Sequence, residues 1–172
     1  MANIQKNNRG FTLVELIVAT AILGIVALSA CSFMVAGTRA YSSLNYTVRL
    51  QQESQLIMTQ LEEYAVDCTS GMAWDGSTLY IADGSTVHVF AYAAADKAIR
   101  YSSCPTAETL TIPAGDLMAE HVSGMSVSFA DKKVHIALDM ERSGKTYHAT
   151  QVIALRNQPE TAASWSELHD KL

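Results

Sequence analysis

Two kinds of hydrophobic order divide the chain. Residues 11–37 read FTLVELIVATAILGIVALSACSFMVAG, an apolar run interrupted only by Glu15, after which 23 residues pass before the next charge, Arg39. At ~1.5 Å of rise per residue a helix over this run exceeds the ~30 Å hydrocarbon core of a bilayer, so the segment is long enough to span one. Residues 1–10 are polar and carry Lys6 and Arg9 with no acid, which keeps the N-terminus cytoplasmic and puts the remainder outside. From 38 to 66 there is no Pro or Gly, and Leu50, Ile57, Leu61 and Tyr64 recur in threes, fours and sevens. Arg49, Glu53, Glu62 and Glu63 fit the solvated side of the same helix. A single helix over 11–66 would run ~84 Å, far longer than a membrane requires. Its second half is therefore predicted to be the spine against which a sheet lies.

Beyond residue 67 the period changes to two. Residues 78–82 and 87–90 flank Asp83-Gly84 as a hairpin, and a three-residue loop aligns Leu79 and Ile81 with Val89 and Val87. Residues 98–102 supply a candidate edge strand. In a second hairpin Met125, Val127 and Phe129 turn at Asp131-Lys132 and return as Val134, Ile136 and Leu138. Pairing Ala130 with Lys133 sets Phe129 opposite Val134, Val127 opposite Ile136 and Met125 opposite Leu138, which makes one face apolar throughout. A turn at Ser143-Gly144 leads to Tyr147, Ala149, Ile153 and Leu155, in phase except at Gln151, and completes a three-stranded antiparallel meander. The fold class is α+β: one long N-terminal helix packed on a C-terminal antiparallel sheet. The predicted organisation is 1–10 leader, 11–37 membrane helix, 38–66 amphipathic continuation, 67–157 β-rich head and 158–172 tail. The tail is read as a frayed polar end. If ordered, Ser164 and Glu167 form a capping box, Trp165, Leu168 and Leu172 share a face, and Trp165 is the first candidate for a partner contact.

Composition narrows the functional classes. Of 172 residues 49% are hydrophobic and 17% charged, with 12 Lys+Arg against 17 Asp+Glu. The net charge of -5 offers no footprint for nucleic acid, and none is expected as a partner. Three cysteines exclude a disulfide scaffold. Cys68 and Cys104 fall in the exterior part, and a bridge between them would enclose the first hairpin and contribute ~3 to 4 kcal/mol; two free thiols are the alternative. Their spacing fits no zinc motif, so no metal is expected. His88, His121, His135, His148 and His169 sit in no catalytic motif, and there is no Gly-rich phosphate loop. His148 falls opposite Asp139 as a polar cross-strand pair. Neither an enzyme nor a cofactor is expected.

Three readings compete for the N-terminus. An ordinary secretory signal has an apolar core of ~7 to 15 residues, shorter than this run, and tolerates an early carboxylate such as Glu15 poorly. A lipoprotein signal would use Leu28-Ser29-Ala30-Cys31, with cleavage before Cys31 and a lipid on its sulfur; the chain would then be an anchored extracytoplasmic binding domain. The third reading rests on Arg9-Gly10-Phe11-Thr12-Leu13-Val14-Glu15. A basic leader ending in Gly10, then Phe11, Thr12-Leu13 and Glu15 opening an uncharged apolar helix, resembles the processing site of type IV prepilins and pseudopilins. The resemblance covers residues 1–41 and, more loosely, the order of elements beyond.

The resemblance implies a pilin-like fold, cleavage between Gly10 and Phe11 by a membrane-embedded prepilin peptidase, and N-methylation of Phe11. Losing Lys6 and Arg9 from the 12 basic residues leaves 10 against 17 acidic ones, a net charge of -7. An ionisable group within an apolar helix is expensive without a partner. In the family, the carboxylate at the position of Glu15 pairs with the N-terminal amine of a neighbouring subunit. Ala19, Ala21, Gly24, Ala27, Ser29 and Ala30 let such helices approach closely. The early hairpin, the Leu110-Thr111-Ile112-Pro113 linker and the final strand ending Ala154-Leu155-Arg156-Asn157 look most like minor pseudopilins of type II secretion and competence systems. The implied role is structural: a single-pass inner-membrane subunit that joins a cell-surface or periplasmic filament. Its implied partners are other pilin or pseudopilin subunits, the peptidase and the membrane assembly platform.

Overall fold

The structure, a computed structural model, describes residues 12–107 and 109–172. Helix α1, Leu13–Val66, is followed by β1 (Gly71–Trp74), β2 (Thr78–Asp83), β3 (Thr86–Ala93), β4 (Ala98–Pro105) and β5 (Asp116–Ala119). Then come β6 (Val122–Ala130), β7 (Lys133–Arg142), β8 (Lys145–Ala154), β9 (Glu160–Ala162) and the short helix α2 (Trp165–His169). The class is α+β with a pilin-like order of elements, one long N-terminal helix ahead of antiparallel-rich sheet. Two compact units divide the chain at Ser43/Leu44.

Within Leu44–Leu172 the buried face of α1 is Leu50, Ser54, Ile57, Met58, Leu61 and Ala65, the three-and-four spacing that the sequence predicts. That face closes a cluster shared by two sheets: Met72, Leu79, Ile81, Phe90 and Ile99 from one, and Val127, Val134, Ile136, Leu138 and Ile153 from the other. Two carboxylates flank the stripe as clamps. Glu53 Oε1 accepts from the backbone N–H of Glu120 at 3.1 Å, and Glu62 Oε2 accepts from Gln151 Nε2 at 2.6 Å. The second contact explains the one polar residue in the apolar phase of β8: Gln151 faces the helix and finds a partner there.

The meander β6-β7-β8 has the predicted register, with Ala130 opposite Lys133, Val127 opposite Ile136 and Asp139 opposite His148. Both of its loops have two residues at positive φ, Asp131 and Lys132 at 50° and 60°, Ser143 and Gly144 at 51° and 73°. Positive φ at both central positions is what a tight type I′ hairpin requires. One face is buried and the other solvated, so the alternation fixed the pairing.

The other sheet has six strands in the order β5-β4-β3-β2-β1-β9, and here the expectations need correction. The first hairpin is shifted by one: Leu79 opposes Phe90 and Ile81 opposes His88, across a two-residue loop with Gly84 at φ +57°. Val87 and Val89 consequently lie on the opposite face, with Tyr80 and Ala82. The physical reason is that β2 is buried on both faces, so an apolar residue at every position carries no phase. Nor is 98–102 an edge; β4 extends to Pro105 and β5 pairs outside it, with a bulge between Ile99 and Arg100.

The second face of this sheet is covered by the C-terminal segment, which is ordered rather than frayed. Strand β9 adds in parallel to β1, and α2 places Trp165 and Leu168 against Tyr80, Ala73 and Val89. The Ser164–Glu167 cap forms: Ser164 Oγ accepts from Glu167 N, and Glu167 Oε2 accepts from Ala163 N. Trp165, expected as an outward contact, is buried, and its indole N–H donates to the Ala107 carbonyl at 3.0 Å. Leu172 alone of the predicted face stays exposed.

Gly71 admits this packing, because a Cβ there would sit 2.5 Å from Leu168 Cδ1 and 3.0 Å from the Glu160 carbonyl oxygen. Gly71→Val is expected to release β9 and α2 while the meander persists, read as faster amide exchange confined to 160–169. Leu61→Ala is expected to cost ~2–5 kcal/mol in denaturant unfolding of the full chain in detergent, because Leu61 is fully buried in the shared cluster.

Candidate functional site

Every residue from 12 to 42 is exposed, including large apolar side chains such as Leu13, Leu23, Leu28 and Phe33. The most apolar 18-residue window of the helix has a mean hydropathy of 2.4 and no buried residue. Water would not tolerate such a surface, and a hydrocarbon phase or neighbouring apolar helices would. The hydroxyls within it are satisfied inside the helix: Thr20 Oγ1 donates to the Leu16 and Ile17 carbonyls, Ser29 Oγ to Ile25, Ser32 Oγ to Leu28 and Thr38 Oγ1 to Met34, all at 2.8 to 3.0 Å. Hydroxyls returned to their own backbone do not present an unpaired donor to lipid. This is a membrane-anchoring helix.

Its start has a defined cap. Thr12 Oγ1 accepts from the backbone N–H of Glu15 at 3.2 Å, and the Thr12 carbonyl accepts from Leu16 N at 3.2 Å. Thr12 therefore stands at the N-cap and Glu15 at the third helical position, and the sequence does carry the signal: Thr-x-x-Glu immediately before an apolar run. Reading Glu15 only as a charge in an apolar helix overlooks it. A carboxylate in the first turn also complements the positive end of the helix dipole. The Glu15 side chain is exposed, and its carboxylate has no ion pair among the described residues. Gly10 and Phe11, the expected cleavage pair, lie outside the described residues.

The other predicted sites are dispersed. Cys68 and Cys104 are free thiols and belong to different clusters, so the bridge drawn between them is not formed. Cys68 faces the α1 side and donates to the Gly71 and Ala82 carbonyls at 3.4 and 3.3 Å, whereas Cys104, opposite Val87, faces the α2 side. Cys31 is exposed on the apolar helix, which passes through it unbroken. His148 Nδ1 meets Asp139 Oδ1 at 2.6 Å on the solvated face of the meander. His121, at φ +62°, lies between β5 and β6 with Nδ1 3.7 Å from Glu53 Oε2. The His169 ring is tilted against that of Trp165, with centroids 6.1 Å apart.

His88 joins an aromatic cluster around Tyr64 and Tyr101, which the shifted hairpin register creates. Its Nδ1 shares a 2.9 Å hydrogen bond with the Tyr101 hydroxyl, and its ring lies 4.5 Å from that of Tyr64 on α1. Burial lowers the His88 pKa from its usual value. Burial, with the neighbouring Tyr64 hydroxyl, pushes Tyr101 up to about 12.

The geometry defines a class: a membrane-anchored protein with a capped, carboxylate-bearing helix entrance and an α+β, pilin-like head. Residues 5–30 match the family model described as the prokaryotic N-terminal methylation motif. The chain thus carries the N-terminal segment of type IV prepilin-like proteins, as its Gly10-Phe11 and Glu15 pattern implies. No curated protein and no solved structure matches it.

The neutral cluster sets a pH window for the head. His88, lowered from 6.5 by burial, contributes stability that is present above that ordinary value and lost as pH falls below it. Cys68, raised by burial from 9.0 to about 11, and Tyr101, raised from 10.0 to about 12, contribute stability lost as pH rises through those ranges. Urea midpoints followed by tryptophan fluorescence are expected to fall on both sides of this window, and His88→Gln is expected to flatten the arm just below 6.5.

Proposed function

We propose that the chain is a minor structural subunit, a pseudopilin or minor pilin, of a type IV pilus-like filament. The observation that carries the reading is the methylation motif at residues 5–30 together with the exposed apolar first half of α1, residues 12–42, whose one acid is Glu15. A prepilin peptidase cuts between Gly10 and Phe11 and methylates the new amine. That cut removes Lys6 and Arg9 and leaves the Phe11 amine as the positive group nearest the membrane entrance.

Glu15 then pairs with the Phe11 amine of an adjacent subunit. Two opposite charges in an apolar setting reward one axial stagger between helices and penalise others, which gives the lipid-embedded segment a register. The contacts are head-to-tail and do not close, as a filament requires. The subunit sits in the inner membrane with its head outside and is extruded by the membrane assembly platform together with other pilin-like subunits. Its work is mechanical and not catalytic, in a type II secretion, competence or pilus machine. The strand-rich head and the extended linker before β5 favour a minor pseudopilin of the first two.

Intact-mass and N-terminal peptide measurement on protein from its native membrane is expected to find N-methylated Phe11 with the apolar helix retained. A lipidated Cys31 terminus, or an intact Met1, would overturn the reading. Glu15→Ala is expected to leave membrane insertion and processing in place and to reduce incorporation into sheared filaments by ~10-fold or more, the loss of a partly buried charge pair.

A further inference from the structure

A cavity of about 290 Å³ opens between α1 and the edge strand β5, and its chemistry is one-sided. Its walls are aromatic: Tyr64 and Tyr101 stack at 5.5 Å with an interplanar angle of 28°, and Phe90 meets Tyr101 at 5.2 Å. Its rim carries two carboxylates, Glu63 from α1 and Asp116 from β5, and no Lys or Arg lines it. Both acids are exposed, and neither has an ion pair or side-chain hydrogen bond among the described residues. This contrasts with Glu53 and Glu62 on the same helix, which are both engaged. Beside them Leu117 is 51% exposed, on a strand at the sheet edge that pairs, among the described residues, with β4 alone.

An aromatic lining beneath two carboxylates that have no ion pair among the described residues favours an organic cation over other ligand classes, through direct Coulomb pairing and contact with the rings. The volume holds one extended basic side chain, and an exposed leucine at the rim adds apolar area that a protein surface would cover. His88 behind Tyr101 is disfavoured as a competing positive charge, because burial lowers its pKa. We propose that the cavity bounded by Tyr64, Tyr101, Glu63 and Asp116 is a docking site for a Lys or Arg side chain presented by a partner protein, with Leu117 at the contact margin. The site is formed by residues of the head alone and is independent of how the N-terminus is processed.

The test uses the full chain in its native membrane with the photo-cross-linker p-benzoylphenylalanine in place of Gln60, which lines the rim. The expected result is a discrete protein adduct whose cross-linked peptide contains a Lys or Arg. Its yield should fall ~10-fold or more in the Glu63→Gln/Asp116→Asn double variant, as loss of charge pairing implies. Glu160→Gln, a charge change on β9 at the other end of the same sheet, should leave it unaltered. An unchanged denaturant midpoint in the double variant separates loss of docking from loss of fold. The proposal is overturned by an adduct that survives charge removal, by an adducted peptide without a basic residue, by cross-linking to lipid, or by no adduct at all.

Discussion

The burial of one stripe of α1 holds the head together. Among the described residues the two sheets share no strand pairing; beside the Val122 N–H to Lys97 carbonyl bond and the Lys97–Glu141 ion pair, what joins them is a common apolar cluster closed by Leu50, Ile57, Met58 and Leu61. Hydrophobic burial is non-directional, so it specifies that the sheets must meet the helix without specifying how they are turned. Direction comes from Glu53 and Glu62, which reach from opposite sides of the stripe to the β5–β6 turn and to β8. Removing the stripe would leave two sheets with one bare apolar face each.

The same helix solves a second problem by the opposite means. Over residues 12–42 it buries nothing and presents apolar side chains in every direction, and its hydroxyls are turned back onto its own carbonyls. An amphipathic stripe organises a protein core, while an all-round apolar surface organises contact with lipid or with other apolar helices. One continuous backbone can do both because helix geometry is indifferent to the solvent around it once its backbone groups are paired. Glu15 stands at the head of the all-apolar half, where Thr12 caps the first turn and leaves the carboxylate itself free.

The two sheets differ in how they use their faces, and the differences in legibility follow from that. In the meander each strand alternates buried and exposed positions, so a one-residue slip would expose the whole apolar set. In the six-stranded sheet α1 lies on one face and α2 with Leu110 on the other, so β2 is buried at four consecutive positions. A slip there exchanges one apolar residue for another, and turn geometry with the partners on each face decides the register. The outcome puts His88 rather than Val87 opposite Ile81 and places its ring against Tyr64 and Tyr101. That aromatic cluster could not be read in the chain, because it depends on a register that the apolar pattern leaves open.

By itself the sequence determined the anchor helix, its Glu15 entrance, the buried stripe of the second half and the meander, since each is a periodic or contiguous pattern whose meaning depends only on local geometry and solvent. The C-terminal segment shows the reverse. Its Ser164 and Glu167 cap was visible as a local motif, yet whether it formed depended on a sheet face that needed covering and on Gly71 leaving room for Leu168. The two cysteines were likewise separated by the sheet plane and not by their spacing. Tertiary structure decided these features, together with the acidic aromatic cavity beside β5. Each brings together residues distant along the chain, and the partner that gives each its role cannot be read from its own neighbourhood.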